Sequence, residues 1–122
     1  MIDYSVLALP KSSRAVEKIQ RHRQRDALVR VVNAQVDRRD ERRCRFPLCR
    51  KMMQHRHHIT YRSRVGRQHA DNLVSLCAKH HALIHGGLVR VEGPANFVGG
   101  NISKLKWALT NLGVQAGLTI PS

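Results

Sequence analysis

Acidic residues are scarce in this chain of 122 residues: eight Asp and Glu stand against 22 Lys and Arg, a formal charge of +14 and a pI near 11.3. A solvated coat carries charges of both signs, so the imbalance points to a polyanionic partner. Nucleic acid leads, because neutralising phosphates releases counterions. Anionic membrane is the rival, but no strongly amphipathic apolar face accompanies the charge. Aromatic residues are also few, with one Trp, two Tyr and two Phe, so the core has to be mainly aliphatic. The three cysteines are an odd number, which excludes a complete disulfide framework within one chain and favours thiolate metal ligation in a reducing compartment. Long apolar runs are missing. The run Val6-Leu7-Ala8-Leu9, closed by Pro10, is too brief for a signal h-region, and nothing later nears the ~20 apolar residues of a membrane span. The expectation is a soluble, cytoplasmic, single-domain protein with no membrane partner, small enough to need a staple such as a metal.

Along the chain, residues 1–11 read as an extended lead-in. Ser12 or Ser13 can cap a helix running from about Arg14 to Arg39, with Val16, Ile19, Leu28, Val32 and Val36 near helical spacing. Between Gln20 and Arg25 the pattern is all polar, as in a solvated or DNA-facing extension, and Arg21, Arg23 and Arg25 are candidate phosphate contacts. From Lys11 to Lys51 there are 14 Lys and Arg against five acids, an excess of nine. Cys44-Arg-Phe-Pro-Leu-Cys49 is a turn between two thiols, the shape of a zinc knuckle. A strand is expected from about Gln54 to Arg62, a polar loop from Ser63 to Asn72, a returning strand at Leu73–Ser75 and a helix at Cys77–His85 ended by Gly86 and Gly87. Leu88–Glu92 and Ile102–Leu109 read as two further strands, the second alternating Leu105, Trp107 and Leu109 with Lys104, Lys106 and Ala108. The tail from Thr110 carries no clear signal.

Six of the eight histidines fall within residues 57–85. Cys44 and Cys49, with Cys77 and His80, supply two close pairs of soft or borderline ligands, as a tetrahedral structural zinc needs. The plainer alternative is three small buried hydrophobes. Because His80 and His81 are adjacent, either could complete the zinc site. His81 and His85 stand four apart, on one helical face. With His80 on the zinc, His57, His81 and His85 could form an open three-nitrogen site, leaving His58 free as a base, since a neutral imidazole accepts a proton near pH 7. His22, His55 and His69 read as surface or satisfied residues.

The order Cys44-x4-Cys49, His57-His58-Ile59, Asn72-Leu73-Val74 and Leu76-Cys77-x2-His80-His81-x3-His85 resembles the HNH family of nucleases, over about residues 37–92. The resemblance implies an α+β fold: a ββα-metal finger with a structural zinc, preceded by a long basic helix and followed by a C-terminal β-hairpin. Residues 1–39 would form the helical extension, 40–92 the core, and 93–122 the hairpin strand and tail. It further implies His58 as general base, Asn72 as the residue that orients the loop, and His57 and His81 as ligands of a catalytic divalent metal. His85 matches members with a second histidine one turn along the helix. Cys44, Cys49, Cys77 and His80 match the structural zinc. Two departures stand out: His80 occupies a position where cysteine is most frequent, and the loop Arg62–Asp71 has Gly66 in place of a Gly-Gly pair.

Three imidazoles favour Zn, Ni, Co or Mn at the catalytic site, whereas His57 and His81 alone would suit Mg or Mn. Arg62, Arg64 and Arg67 either clamp flanking phosphates or form a solvated loop. The expected activity is metal-dependent hydrolysis of DNA phosphodiesters, with double-stranded DNA as partner. The alternatives are a non-catalytic zinc-stabilised DNA-binding module, an RNA-directed nuclease, and an assembly factor in phage DNA packaging.

Overall fold

The computed structural model describes residues 13–60 and 68–121. The expected lead-in, the choice of Ser12 as cap, and Arg62, Arg64 and Arg67 lie outside the described residues. Helix α1 spans Ser13–Asp40, a 28-residue stretch without Gly or Pro that is rich in Ala, Arg and Gln, all good helix formers. Internal contacts divide the chain into two units at Val31 and Val32, inside this helix. In residues 13–31 the side chains are almost all exposed, Ile19 and Leu28 included, at 39% and 50%. The apolar seam expected from Val16 onward is therefore confined to Val32 and Val36, both buried. No helix among the described residues is long and apolar enough to cross a membrane.

In residues 32–121, strand β1 (His55–His58) pairs antiparallel with β2 (Leu73–Leu76), aligning His55 with Leu76 and His58 with Leu73. Helix α2 (Ala78–His85) packs against both strands, and a short 3-10 turn, Ala70–Asn72, leads into β2. Strand β3 (Val89–Glu92) pairs antiparallel with β4 (Lys106–Leu109). The architecture is α+β: a long basic helix, then a ββα finger and a hairpin built from short elements.

Several bounds differ from the sequence expectation for local reasons. Strand β1 stops at His58 because the next two amides, Ile59 and Thr60, donate to the backbone and side chain of Asn72. Ile102 does not begin β4 but bridges back to Val98. The tail is not featureless: Asn111–Gln115 forms helix α3, whose amide at Gly113 donates to the Thr110 hydroxyl at 3.1 Å. Gly113 is required there, since a Cβ would collide with the Leu88 carbonyl.

One core cluster gathers Cys44, Phe46, Val74, Leu76, Cys77 and Val89, with Trp107, Leu109 and Leu83 packed against it. Val32, Val36 and Leu73 form a second cluster, which fixes the C-terminal end of α1 on β2. Charge completes this anchoring. Buried Asp40 accepts from Arg39 Nε at 2.7 Å and Arg45 Nη1 at 2.7 Å, and the Ser75 amide reaches its second oxygen at 3.2 Å. Burial alone would raise the Asp40 carboxyl, but the Arg39 hydrogen bond and the charges of Arg39 and Arg45 outweigh it and hold it below the usual carboxylate range. Arg56 clasps Asp37 through both oxygens at 2.7 and 2.6 Å, and this hydrogen bonding likewise holds Asp37 low. Arg39 and Arg45 therefore do not belong to the phosphate-binding excess counted from the sequence, because the fold uses them internally.

Candidate metal centres

The knuckle 44–49 is set by backbone hydrogen bonds from Cys44 to Lys51 and from Cys49 to Phe46, each 2.9 Å, with Leu48 in the left-handed region at φ 61°. Cys77 is the N-cap of α2, so His80 follows one turn later on the same side. These pieces draw the ligand atoms of Cys44, Cys49, Cys77 and His80 to within 4.8 Å of one another. His80 Nδ1 lies 3.2 Å from Cys77 Sγ and 3.4 Å from Cys44 Sγ, and its ring stacks on Phe46 with centroids 3.9 Å apart. Phe46 had no role in the sequence reading. Its signal was its place between the two knuckle thiols.

Burial pushes the Cys44 thiol up to about 12. It also works to raise Cys77, but backbone hydrogen bonds at the start of α2 and the neighbouring thiols bring that group below its ordinary value. Burial, with Lys79 and Lys51 nearby, lowers His80 from its ordinary value and so disfavours a proton on its ring. Three thiols and an imidazole converging on one point, with the buried Cys44 thiol costly to ionise alone, fit a tetrahedral cation that supplies the missing charge. This Cys3His cluster is consistent with a zinc site.

The second cluster joins β1 to α2. The ring nitrogens of His57, His81 and His85 also come within 4.8 Å of one another. Their rings meet edge-on, with centroids at 5.5 Å for His57–His81, 5.4 Å for His57–His85 and 4.3 Å for His81–His85. Burial, then His81, His85 and His58, push His57 down to about 4, while burial, His55 and His85 lower His81. Three imidazoles with ring nitrogens this close fit a divalent metal, and His85 is exposed, so the site has an open side.

His55, read from sequence as a surface or satisfied residue, is exposed and also stacks on His81 with centroids 4.2 Å apart. Strand alternation could have found it, because His55 and His57 share one face of β1. His58, in neither cluster, has Nε2 3.4 Å from Gln68 Oε1. Buried Asn72 accepts from the Thr60 amide at 2.8 Å and donates to the Thr60 carbonyl at 3.3 Å, holding the chain just beyond His58. Arg21, Arg23 and Arg25 are exposed on α1. At 100° per residue Arg21 and Arg25 share a face, while Arg23 points elsewhere.

A two-stranded ribbon carrying paired histidines, followed by a helix that contributes to both clusters, defines a ββα-metal finger with a Cys3His zinc-type cluster. Residues 42–86 match the family model described as HNH endonuclease, over the stretch that carries both ligand clusters. The family indicates nuclease activity in general, a nucleic-acid substrate and use of a divalent metal. No curated protein and no solved structure matches the chain.

Proposed function

We propose that the protein is a DNA endonuclease that hydrolyses phosphodiester bonds with His58 as general base. The observation that carries this reading is the separation of two ligand clusters, Cys44/Cys49/Cys77/His80 and His57/His81/His85, with His58 belonging to neither. One cluster is shaped to hold the fold. The other is partly open, and a histidine lies next to it in sequence, free to accept a proton.

In this mechanism His58 takes the proton from a water aligned with the scissile phosphorus, a step worth about 100- to 10,000-fold for a positioned base. Gln68 orients its Nε2, and Asn72 pins Thr60 so that the backbone carrying His58 leaves β1 in one direction. His57, His81 and His85 would hold the divalent ion. When bound, such an ion supplies positive charge to the phosphate oxygens and the leaving 3′ oxygen. His81 thus serves the reaction through ligation. Arg62, Arg64 and Arg67 would clamp phosphates near the cut, and Arg21, Arg23 and Arg25 would grip the backbone of double-stranded DNA. Three imidazoles favour Mn, Co, Ni or Zn over Mg. Cys44, Cys49, Cys77 and His80 would hold a zinc that takes no part in the chemistry.

The test is nicking of supercoiled plasmid by the zinc-loaded protein with added Mg, Mn, Co or Ni, beside His58→Ala. Nicking that depends on the added ion and falls about 100-fold or more in the variant is expected. Binding without cutting under every ion would leave a non-catalytic DNA-binding module. Faster cutting of RNA than of DNA would reassign the substrate.

A further inference from the structure

A cleft of about 640 Å³ opens along the knuckle, with Cys44 and Cys49 in its lining, and the proposed hydrolysis makes no use of it. Arg43, Arg45, Leu48 and Arg50 line it from the knuckle, with Phe97 and Asn101 from the loop between β3 and β4. Its volume falls in the range of small-ligand sites, about 300–1,000 Å³, and is too small for a duplex.

Its surface combines three chemistries. The first is apolar and wet: Leu48 is 81% exposed and Phe97 37% exposed. Leu48 also holds the left-handed conformation that favours glycine, and so presents a large apolar side chain where a glycine would sit without strain. Glu41, another lining residue with positive φ, closes the same cleft. The second is a prearranged cation–aromatic platform. Arg45 is fixed by Asp40 at 2.7 Å and by the Ala95 carbonyl at 3.0 Å, and its guanidinium sits 4.3 Å from the Phe97 ring centroid. The third is available charge. The Arg50 guanidinium pairs with Glu41 at 3.8 Å with both side chains exposed, a pairing weak enough for a phosphate to displace. Arg43 is exposed beside it, its guanidinium making a long 3.4 Å hydrogen bond to the Arg50 carbonyl.

We propose that this cleft binds one unpaired nucleotide of a DNA strand, with the base against Phe97 and Leu48 and the phosphate on Arg43 and Arg50. Aromatic faces take any base by stacking, arginines take the backbone, and the Asn101 amide can donate to or accept from a base edge. Paired bases do not expose their faces, so the site discriminates strands with an unpaired nucleotide from continuous duplex. This inference rests on the DNA reading above and adds a preference for gapped, flapped or frayed substrates.

The experiment is fluorescence anisotropy with labelled single-stranded and fully paired oligonucleotides, on the full chain without added divalent ions. Phe97→Ala is expected to weaken single-strand binding about tenfold and duplex binding less than twofold, with Phe97→Tyr restoring the former. Arg50→Ala is expected to lower the salt dependence of single-strand binding. Quenching of a 2-aminopurine placed in the single strand should be lost in Phe97→Ala. If that variant loses its fold by circular dichroism, Leu48→Ala, at an exposed position, carries the test and is expected to weaken single strands severalfold. Equal losses on both substrates, no loss on the single strand, or failure of Phe97→Tyr to restore binding would each overturn the subsite. A wild-type chain that binds and nicks duplex yet ignores these substitutions sinks the subsite alone. A chain that binds no DNA removes the DNA reading and the subsite with it.

Discussion

The two clusters that share helix α2 differ in burial and in kind. Cys44 and Cys77 are buried beneath Phe46 and Trp107, and their fourth partner, His80, is stacked in place. His57 and His81 are half-buried, His85 is exposed, and their rings meet by edges. Adjacent residues, His80 and His81, thus face two environments, since successive helix positions diverge by 100°. A closed set of thiols suits an ion that holds the chain together, whereas an open set of neutral imidazoles suits one that must admit a substrate oxygen. Under the proposed function, one short helix would serve stability on one side and chemistry on the other.

This contrast is broken most severely from the thiol side. Cys77→Ser should abolish the cooperative thermal unfolding of the protein, because structural zinc supplies binding energy on the order of 10 kcal/mol to small domains. Calorimetry with zinc analysis checks it. A variant that still melts cooperatively with no zinc would make the cluster dispensable.

The imidazole side should behave oppositely. His81→Ala is expected to reduce nicking about 100-fold or more, while the melting temperature stays within a few degrees and one zinc per chain remains. If His81→Ala instead loses its zinc, His80 and His81 have exchanged roles.

A smaller effect separates the clusters by pH. The folded His57 is held at about 4 by burial and by His81, His85 and His58, against an ordinary 6.5. In the unfolded chain His57 takes a proton as pH falls through 6.5, while the folded protein does not until about 4. His57 therefore lowers stability progressively between those values and no further below them. Without added divalent ion, the melting temperature should fall across this window, and His57→Gln should flatten part of the fall. An unchanged slope in that variant would remove His57 from the account.

The smallest expected change comes from the stacked ring beside the site. His55→Ala should weaken divalent-ion binding a fewfold by freeing the His81 ring, and His55→Phe should restore it. Isothermal titration measures both. Equal behaviour of the two variants would mean the stack has no role.

What the sequence made legible follows from how local each signal is. The spacing of Cys44 and Cys49, of Cys77 and His80, and of His81 and His85 lies within one turn or one helix, so ligand sets could be read before any fold was known. Asn72 stood out beside Leu73 and Val74, and its hydrogen bonds to Thr60 span only twelve residues. Distant pairings were hidden. Nothing in the composition said that Asp40 would capture Arg45, or that Arg39 would reach the Ala70 carbonyl, so internal cations were counted as surface charge. Helical periodicity put Leu28 in line with Val32 and Val36 but did not show whether anything covers it, and it is half exposed. Helix α3 was missed because its start depends on Thr110, whose hydroxyl bonds to Gly87 far back in the chain.

The central claim is a division of labour between two ions on one helix, and metal content with cleavage on a single sample tests it most directly. The expected result is one tightly held zinc per chain that survives dialysis. A second, exchangeable divalent ion should be required for plasmid nicking and should be lost in His57→Ala. Nicking that persists with only the first ion present, or a chain that holds no zinc yet remains folded and active, would contradict it.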